Sequence, residues 1–212
     1  LGFFPVADKA GRDYLGAMNA AANFAFVNRG LMGALAGAAV RRRHPEARLW
    51  LLYDVPHNMA KLERHEGEPL WVHRKGGTRA FDQRRMQGMP FADIGQPVLV
   101  PGSMGTASYV LVGQASGAAS LFSVNHGAGR VMSRTQAAGG RKGRRQKRTA
   151  AISDQEFKAS MEGIHLVCED RRAVKEEAPA AYKDIDQVIE TVKEAGLARP
   201  VARLRPRAVL KG

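Results

Sequence analysis

The sequence predicts an α+β fold, with mixed sheets and flanking helices. Three observations predict it. Helical periodicity and short strand-like runs both occur, no regular strand–helix–strand repeat links them, and 212 residues suffice for one sizeable core but not for a second independent one. A single domain portion is therefore expected over residues 1–212.

Taking the elements in order, Asp8 to Arg43 reads as one long or two short helices, because Leu15, Met18, Ala22, Ala25 and Phe26 recur at three- and four-residue steps in an Ala-rich stretch. Gly30, Gly33 and Gly37 weaken its second half, and small residues at that spacing imply close packing against a sheet. Arg41 to Arg43 puts cations at the negative end of the helix dipole and closes the element. Leu49 to Tyr53 is a short apolar run that reads as a buried strand, and DVPHN then leaves it, since Pro56 has no N–H for a ladder. Leu70 to Arg74 alternates as a strand should, and KGGTRAF after it reads as a basic loop carrying Lys75 and Arg79. Asp82 to Gln96 is polar, Met-rich and uninformative. Val98 to Val100 and Ser108 to Gly113 read as strands.

Further on, Ser153-Asp-Gln-Glu156 is a capping box, so a helix starts there and runs to about Glu162, where Gly163 stops it. Ile164 to Cys168 reads as a strand, with Cys168 a core thiol. Ile185, Val188, Ile189 and Val192 share one helix face, which Gly196 ends. The tail VARLRPRAVLKG alternates as a strand.

The most informative stretch is Pro101 to Arg134. Two glycine-rich turns, Pro101 to Thr106 and Gly127 to Gly129, flank a β-like run, and His126 stands directly before Gly-Ala-Gly. Glycine lets backbone N–H groups approach an anion with no Cβ in the way, which is how loops commonly hold phosphate. No Gly-Lys-Ser/Thr follows, so this is not a Walker loop. Read alone, the glycines are tight turns or a phosphate cradle, and His126 is a ligand, a base or a nucleophile. His57, at the close of DVPHN, is likewise a structural histidine or one metal ligand.

Composition narrows the partner. With 33 Lys and Arg against 20 Asp and Glu, the formal net charge is +13 and the pI about 10.5, which points to a polyanion and favours nucleic acid over a membrane. RKGRRQKR, residues 141–148, has six basic residues in eight. It reads as part of a mobile basic loop over residues 135–152, either solvated or gripping RNA phosphates. Cys168 is the sole cysteine, so no intrachain disulfide forms and a cytoplasmic location is expected.

PGSMGTASYVLVG, NHGAGRVMSR, DVPHNMAKLE and the terminal LRPRAVLKG together resemble the RtcB family of RNA-splicing ligases, over nearly the whole chain but only the C-terminal half of the family. The resemblance implies GTP- and Mn²⁺-dependent joining of 2′,3′-cyclic phosphate or 3′-phosphate RNA ends to 5′-hydroxyl ends, through a histidine guanylate on His126. It implies a nucleotide site of Asn58, Pro101, Gly102, Ser103, Met104, Ser108, His126, Gly127, Ala128, Gly129, Tyr182 and Lys211, with the last two at the guanine. His57 would bind the metal, and Arg130 and Arg134 the RNA phosphate. KGGTRAF matches the family's VHRKGATRAF motif, with Gly77 where Ala is usual, and would lie beside the active centre. The family's other metal ligands belong to its N-terminal half, so a separate N-terminal chain or an activating protein is an expected partner beside RNA (tRNA halves or broken ends) and GTP. A non-catalytic RNA-binding module of the same fold is the alternative. A hydrolase using His126 ranks lower, because no water-activating carboxylate adjoins the motif.

Overall fold

The computed structural model describes residues 3–142, 146–170 and 173–211. The chain divides into two compact units, Leu1–Thr78 and Arg79–Gly212. The architecture is the expected α+β, with small sheets and flanking helices.

In the first unit, helix α1 spans Lys9–Arg43 as one element of 35 residues, with Arg41, Arg42 and Arg43 in its last turn. Leu15, Met18, Ala22, Ala25 and Phe26, the expected apolar face, are all half-buried. The glycines behave differently from expectation. A Cβ at Gly30 or Gly33 would meet nothing within 4 Å, because both sit on an exposed face and no sheet approaches them.

Strands β1, Asn58–His65, and β2, Glu68–Lys75, form an antiparallel hairpin in register from Asn58↔Lys75 to His65↔Glu68. Leu70 to Arg74 falls inside β2 as foreseen, whereas β1 was not foreseen. Both turn residues have positive φ, 52° at Glu66 and 88° at Gly67, which matches the twist of a two-residue hairpin and explains the glycine. One side of the hairpin buries Val72 together with Glu63, His65 and Arg74, and Ala60 is buried on the opposite side. Arg74 donates to both carboxylate oxygens of Glu63, at 2.7 and 2.9 Å, and His65 Nε2 lies 3.0 Å from Glu63 Oε2.

One expectation fails outright. Leu49 to Tyr53 forms no strand, and Trp50 and Leu51 are 79% and 77% exposed. An apolar run becomes a strand only where a ladder partner exists, and none pairs with it among the described residues. Conversely Gly77–Arg79, expected as loop, forms the short strand β3.

The second unit is built on a three-stranded sheet. Strands β4, Pro97–Val100, and β5, Ser108–Gly113, pair antiparallel as the sequence indicated, and β10, Ala198–Leu204, adds to the other side of β5. Strand β6, Ser123–Asn125, leads into the second glycine turn. Helix α4, Ile185–Glu194, buries Ile185, Ile189 and Val192 against Val98, Val100, Leu111 and Ala198, and Gly196 leaves it at φ 66°. Its N-cap Asp184 accepts from the amides of Asp186 and Gln187.

Two further helices are short. Helix α2, Arg134–Ala138, is capped by Ser133, and α3, Asp154–Ser160, has the full reciprocal Ser153–Glu156 box. Strands β7, Gly140–Lys142, and β8, Gln146–Arg148, pair antiparallel within the basic run, of which residues 143–145 lie outside the described residues. Strand β9, His165–Cys168, pairs in parallel with β11, Ala208–Lys211. The tail is therefore two strands rather than one. At Arg205–Arg207 it leaves the β5 ladder, with Pro206 lacking the N–H to continue, and joins β9 instead. Cys168 is half-buried beside a core of Met104, Met161 and Val174. Among the described residues no helix is long and apolar enough to cross a membrane.

Candidate functional site

The two glycine turns meet in the second unit. Pro101 directly follows β4, and its carbonyl accepts a 3.1 Å hydrogen bond from the amide of Ala128, closing the first turn onto the second. The turns must therefore shift together. A Cβ on Gly102 would fall 2.1 Å from the Ala107 carbonyl oxygen and 2.5 Å from Thr106 Oγ1, so the first turn tolerates no side chain there. Asn125, at the end of β6, donates from Nδ2 to the Gly127 carbonyl at 2.8 Å and steadies the second turn around half-buried His126.

Inside the first turn the hydroxyls are organised. Thr106 Oγ1 accepts from the Ser103 amide at 2.7 Å and lies 2.9 Å from Ser103 Oγ, while Ser108 Oγ accepts from the Gly102 amide at 3.4 Å. Two amides expected to face a phosphate thus carry hydroxyl partners, and the hydroxyl oxygens stand in their place. Met104 turns its side chain into the core with Met161 and Val174, leaving its backbone to the turn.

A polar cluster borders the second turn. Arg130 pairs with Tyr182 through an isolated antiparallel bridge, stacks its guanidinium 4.8 Å from the Tyr182 ring centroid, and donates to Tyr182 Oη at 2.9 Å and to the Met132 carbonyl at 2.9 Å. It also donates to the Glu176 carbonyl. Tyr182 in turn donates to Glu177, and Arg134 Nε lies 3.2 Å from the other carboxylate oxygen. Burial pushes the Tyr182 hydroxyl above its ordinary 10.0, and the Glu177 carboxylate pushes it further. For Glu177 burial acts upward, but the bonds from Tyr182 and Arg134 and the charges of Lys211 and Arg130 outweigh it and hold the carboxyl below its ordinary 4.5. Both arginines expected at RNA phosphate are thus engaged within the protein, around a carboxylate that no local motif marks.

The same unit contains a groove of about 700 Å³ whose walls include Thr106, Tyr182, Lys183, Arg205 and Arg207. Of the residues singled out from the sequence, Tyr182 lines it.

His57 and Asn58 belong to the first unit. The Gly76 amide is shared between the His57 carbonyl and Asn58 Oδ1, each at 3.0 Å, which ties the start of β1 to the end of β2. Both residues line a cavity of about 220 Å³ with Met18, Ala22 and Arg29. Arg29 reaches both oxygens of Asp54 through Nε, at 2.8 and 3.0 Å, while its buried Nη2 has no hydrogen-bond partner among the described residues. In KGGTRAF, Arg79 donates to Gln96 at 3.0 Å and lies over Phe81.

The family model described as tRNA-splicing ligase RtcB matches residues 1–212. The chain belongs to the RtcB family.

It is 44% identical, over 98% of its length, to a protein named tRNA-splicing ligase RtcB from Pyrococcus furiosus, of which it covers 22%. It is 45% identical over 98% of its length to RNA-splicing ligase RtcB from Mycobacterium tuberculosis, covering 47% of it. To tRNA-splicing ligase RtcB from Aeropyrum pernix it is 39% identical over its full length, covering 44%. The chain thus spans between about a fifth and about half the length of these RtcB relatives.

Among the described residues no three His, Cys, Asp or Glu side chains converge on a point where a metal could sit. His57 alone is one ligand, and Mn²⁺ or Zn²⁺ held in a protein needs three or more. The donor set of this chain does not by itself fit the metal the resemblance implies. Thr106, Asn125, Arg29 and Glu177 are the polar residues that the sequence reading missed. Thr106 lies inside the glycine motif, where its hydroxyl was the available signal.

Proposed function

We propose that the chain is the nucleotide-transfer portion of a GTP- and Mn²⁺-dependent RNA ligase, joining 2′,3′-cyclic phosphate or 3′-phosphate ends to 5′-hydroxyl ends through His126. The observation that carries the reading is the closure of both glycine turns around that histidine by the Ala128–Pro101 hydrogen bond. A neutral imidazole nitrogen attacks the α-phosphorus of GTP, a P–N bond forms, the bond to the pyrophosphate oxygen breaks, and pyrophosphate leaves. A 3′-phosphate oxygen of the RNA, present from the outset or formed when water opens a 2′,3′-cyclic end by breaking its 2′-O–P bond, then displaces the imidazole, which departs as a neutral group once protonated. The 5′-hydroxyl oxygen finally attacks the RNA phosphorus, loses its proton and releases GMP.

In this scheme the Ser103, Thr106 and Ser108 hydroxyls and the amides of residues 127–129 supply the dipoles that meet the transferring phosphate. Tyr182 and Lys211 take the guanine. Arg130 sets the Tyr182 ring, and Arg134 is the more exposed arginine of the pair and the better candidate for the RNA phosphate. Mn²⁺ is the metal that His57 would help to hold. The donors described in this chain leave its site incomplete, and the remaining ligands would come from other sequence or from a partner. Cytoplasmic RNA, as tRNA halves or broken ends, is the proposed substrate.

The test is incubation with α-labelled GTP and Mn²⁺, with and without a supplied N-terminal half of an RtcB relative. An acid-labile protein adduct is expected in the reconstituted sample and is abolished in His126→Ala. RNA binding without any adduct, in the presence of that half, replaces the ligase reading with the non-catalytic RNA-binding module, which the incomplete donor set favours.

A further inference from the structure

The 700 Å³ groove of the second unit takes in the end of the first glycine turn, and its Lys183 wall adjoins the second. Gly105, Thr106 and Ala107 form one wall and prolong the first turn. Lys183 forms another: its amide donates to the Gly129 carbonyl at 2.9 Å, and its stem lies 3.9 Å from the point a Gly129 Cβ would occupy. The third wall is the corner between β10 and β11, from Arg203 to Arg207.

Charge in the groove is unevenly committed. Asp184 spends its carboxylate on the first amides of α4, and Asp186 is held by Arg203 at 2.8 Å, with Tyr109 donating to it at 2.6 Å. Glu162 is the remaining acidic residue along the walls. Lys183, Arg205 and Arg207 are exposed, and among the described residues none of the three makes a side-chain hydrogen bond or ion pair. Three exposed cations along a groove that opens onto a phosphate-type turn, of which Arg205 also acts through its charge on Asp186, suit an extended polyanion, whose binding releases condensed counterions at each contact.

We propose that this groove holds the sugar–phosphate backbone of a single-stranded RNA end, with Lys183, Arg205 and Arg207 contacting successive phosphates as the strand approaches the glycine turns. The choice of RNA over an acidic polypeptide rests on the ligase reading and on the chain's net charge of +13. The groove itself does not depend on it.

The test is fluorescence anisotropy of a labelled single-stranded RNA carrying a 3′-phosphate, titrated with the protein across a salt series. In R205Q/R207Q the affinity at low salt falls roughly tenfold, and the slope of log K against log salt shrinks by about 1.4, the value for two lost phosphate contacts on a single strand. R205K/R207K keeps the slope, because any cation serves a phosphate. R199Q, which removes an exposed arginine outside the groove, also keeps it. An unchanged affinity and slope in R205Q/R207Q overturns the proposal, as does a weaker affinity at unchanged slope. Competition by polyglutamate as effective as by unlabelled RNA overturns the assignment to RNA in favour of an acidic protein. The ligase reading is judged separately, by the labelled-GTP adduct of the wild-type protein, so either idea can fail alone.

Discussion

The two units of this chain are stabilised in opposite ways. Among the described residues of 79–212, apolar side chains form four buried clusters, the largest uniting Val98, Val100, Leu111, Ile185 and Ile189 across a sheet and a helix. Among the described residues of 1–78 the buried apolar side chains are those of Ala60 and Val72, and the largest buried group is the charged set of Glu63, His65 and Arg74. Meanwhile Phe24, Val27, Leu31, Trp50 and Leu51 stand exposed. The contrast shows that apolar patterning reports what must be covered and not what covers it. Where strand, helix and partner all lie within the same unit, pattern and burial agree.

The comparison breaks most sharply at Arg74. Truncation in Arg74→Ala leaves Glu63 buried without its bidentate partner and is expected to cost about 3–5 kcal/mol, read by urea unfolding. A loss below about 1 kcal/mol would mean that the hairpin's charges are solvated and that the first unit has no buried ionic core. The equivalent arginine of the second unit, Arg130, is 26% exposed against 7% for Arg74, so Arg130→Ala should cost clearly less in the same measurement. Next comes the apolar side of the contrast. Leu111→Ala, at a fully buried position, is expected to lose about 2–5 kcal/mol, whereas Leu51→Ala, at an exposed one, should stay within about 0.5 kcal/mol. Equal losses would show that Leu51 is covered in solution. Ser153→Ala removes one half of the capping box and should cost about 1 kcal/mol, detectable as a lower Tm.

The smallest effect is on pH dependence. Because the folded-state value of Glu177 is depressed, its contribution is present above 4.5 and is lost as pH falls through the lowered value. Tyr182 has the opposite sign: its value is raised, so its contribution is present below 10.0 and is lost as pH climbs through the raised value. Glu177→Gln should therefore flatten the acid limb of stability below pH 4.5 and let the Tyr182 ultraviolet transition move down toward 10.0. An unmoved tyrosine transition would mean that the hydroxyl does not sense the carboxylate.

Much of this was legible in the sequence, and the pattern of success follows the same contrast. Helix α1, strands β4 and β5, the Ser153–Glu156 box and the apolar face of α4 each announce themselves through local spacing or a cap, and all lie where expected. Leu49 to Tyr53 misled because its composition is that of a strand while a ladder needs a second chain segment. β1 escaped notice because Lys61, Glu63 and Arg64 interrupt its apolar alternation and its buried side carries charge. At the site, the glycine motifs and His126 were visible as words in the sequence. Thr106, Asn125 and Glu177 act through hydrogen bonds to residues brought near by folding, and Glu177 is five positions from Tyr182 with a 3₁₀ turn between them.

The crossing of the tail from one ladder to another at Arg205–Arg207 makes its register unusually exacting. Val209 and Lys211 point to the same side of β11, and Val209 reaches the sulfur-rich cluster of Met104 and Met161, while Leu210 on the opposite side is 82% exposed. A slip of one position in β11 would swing Leu210 inward and turn the lysine outward together with the valine. The spacing between these two short strands is thus a molecular ruler for the placement of an ammonium group.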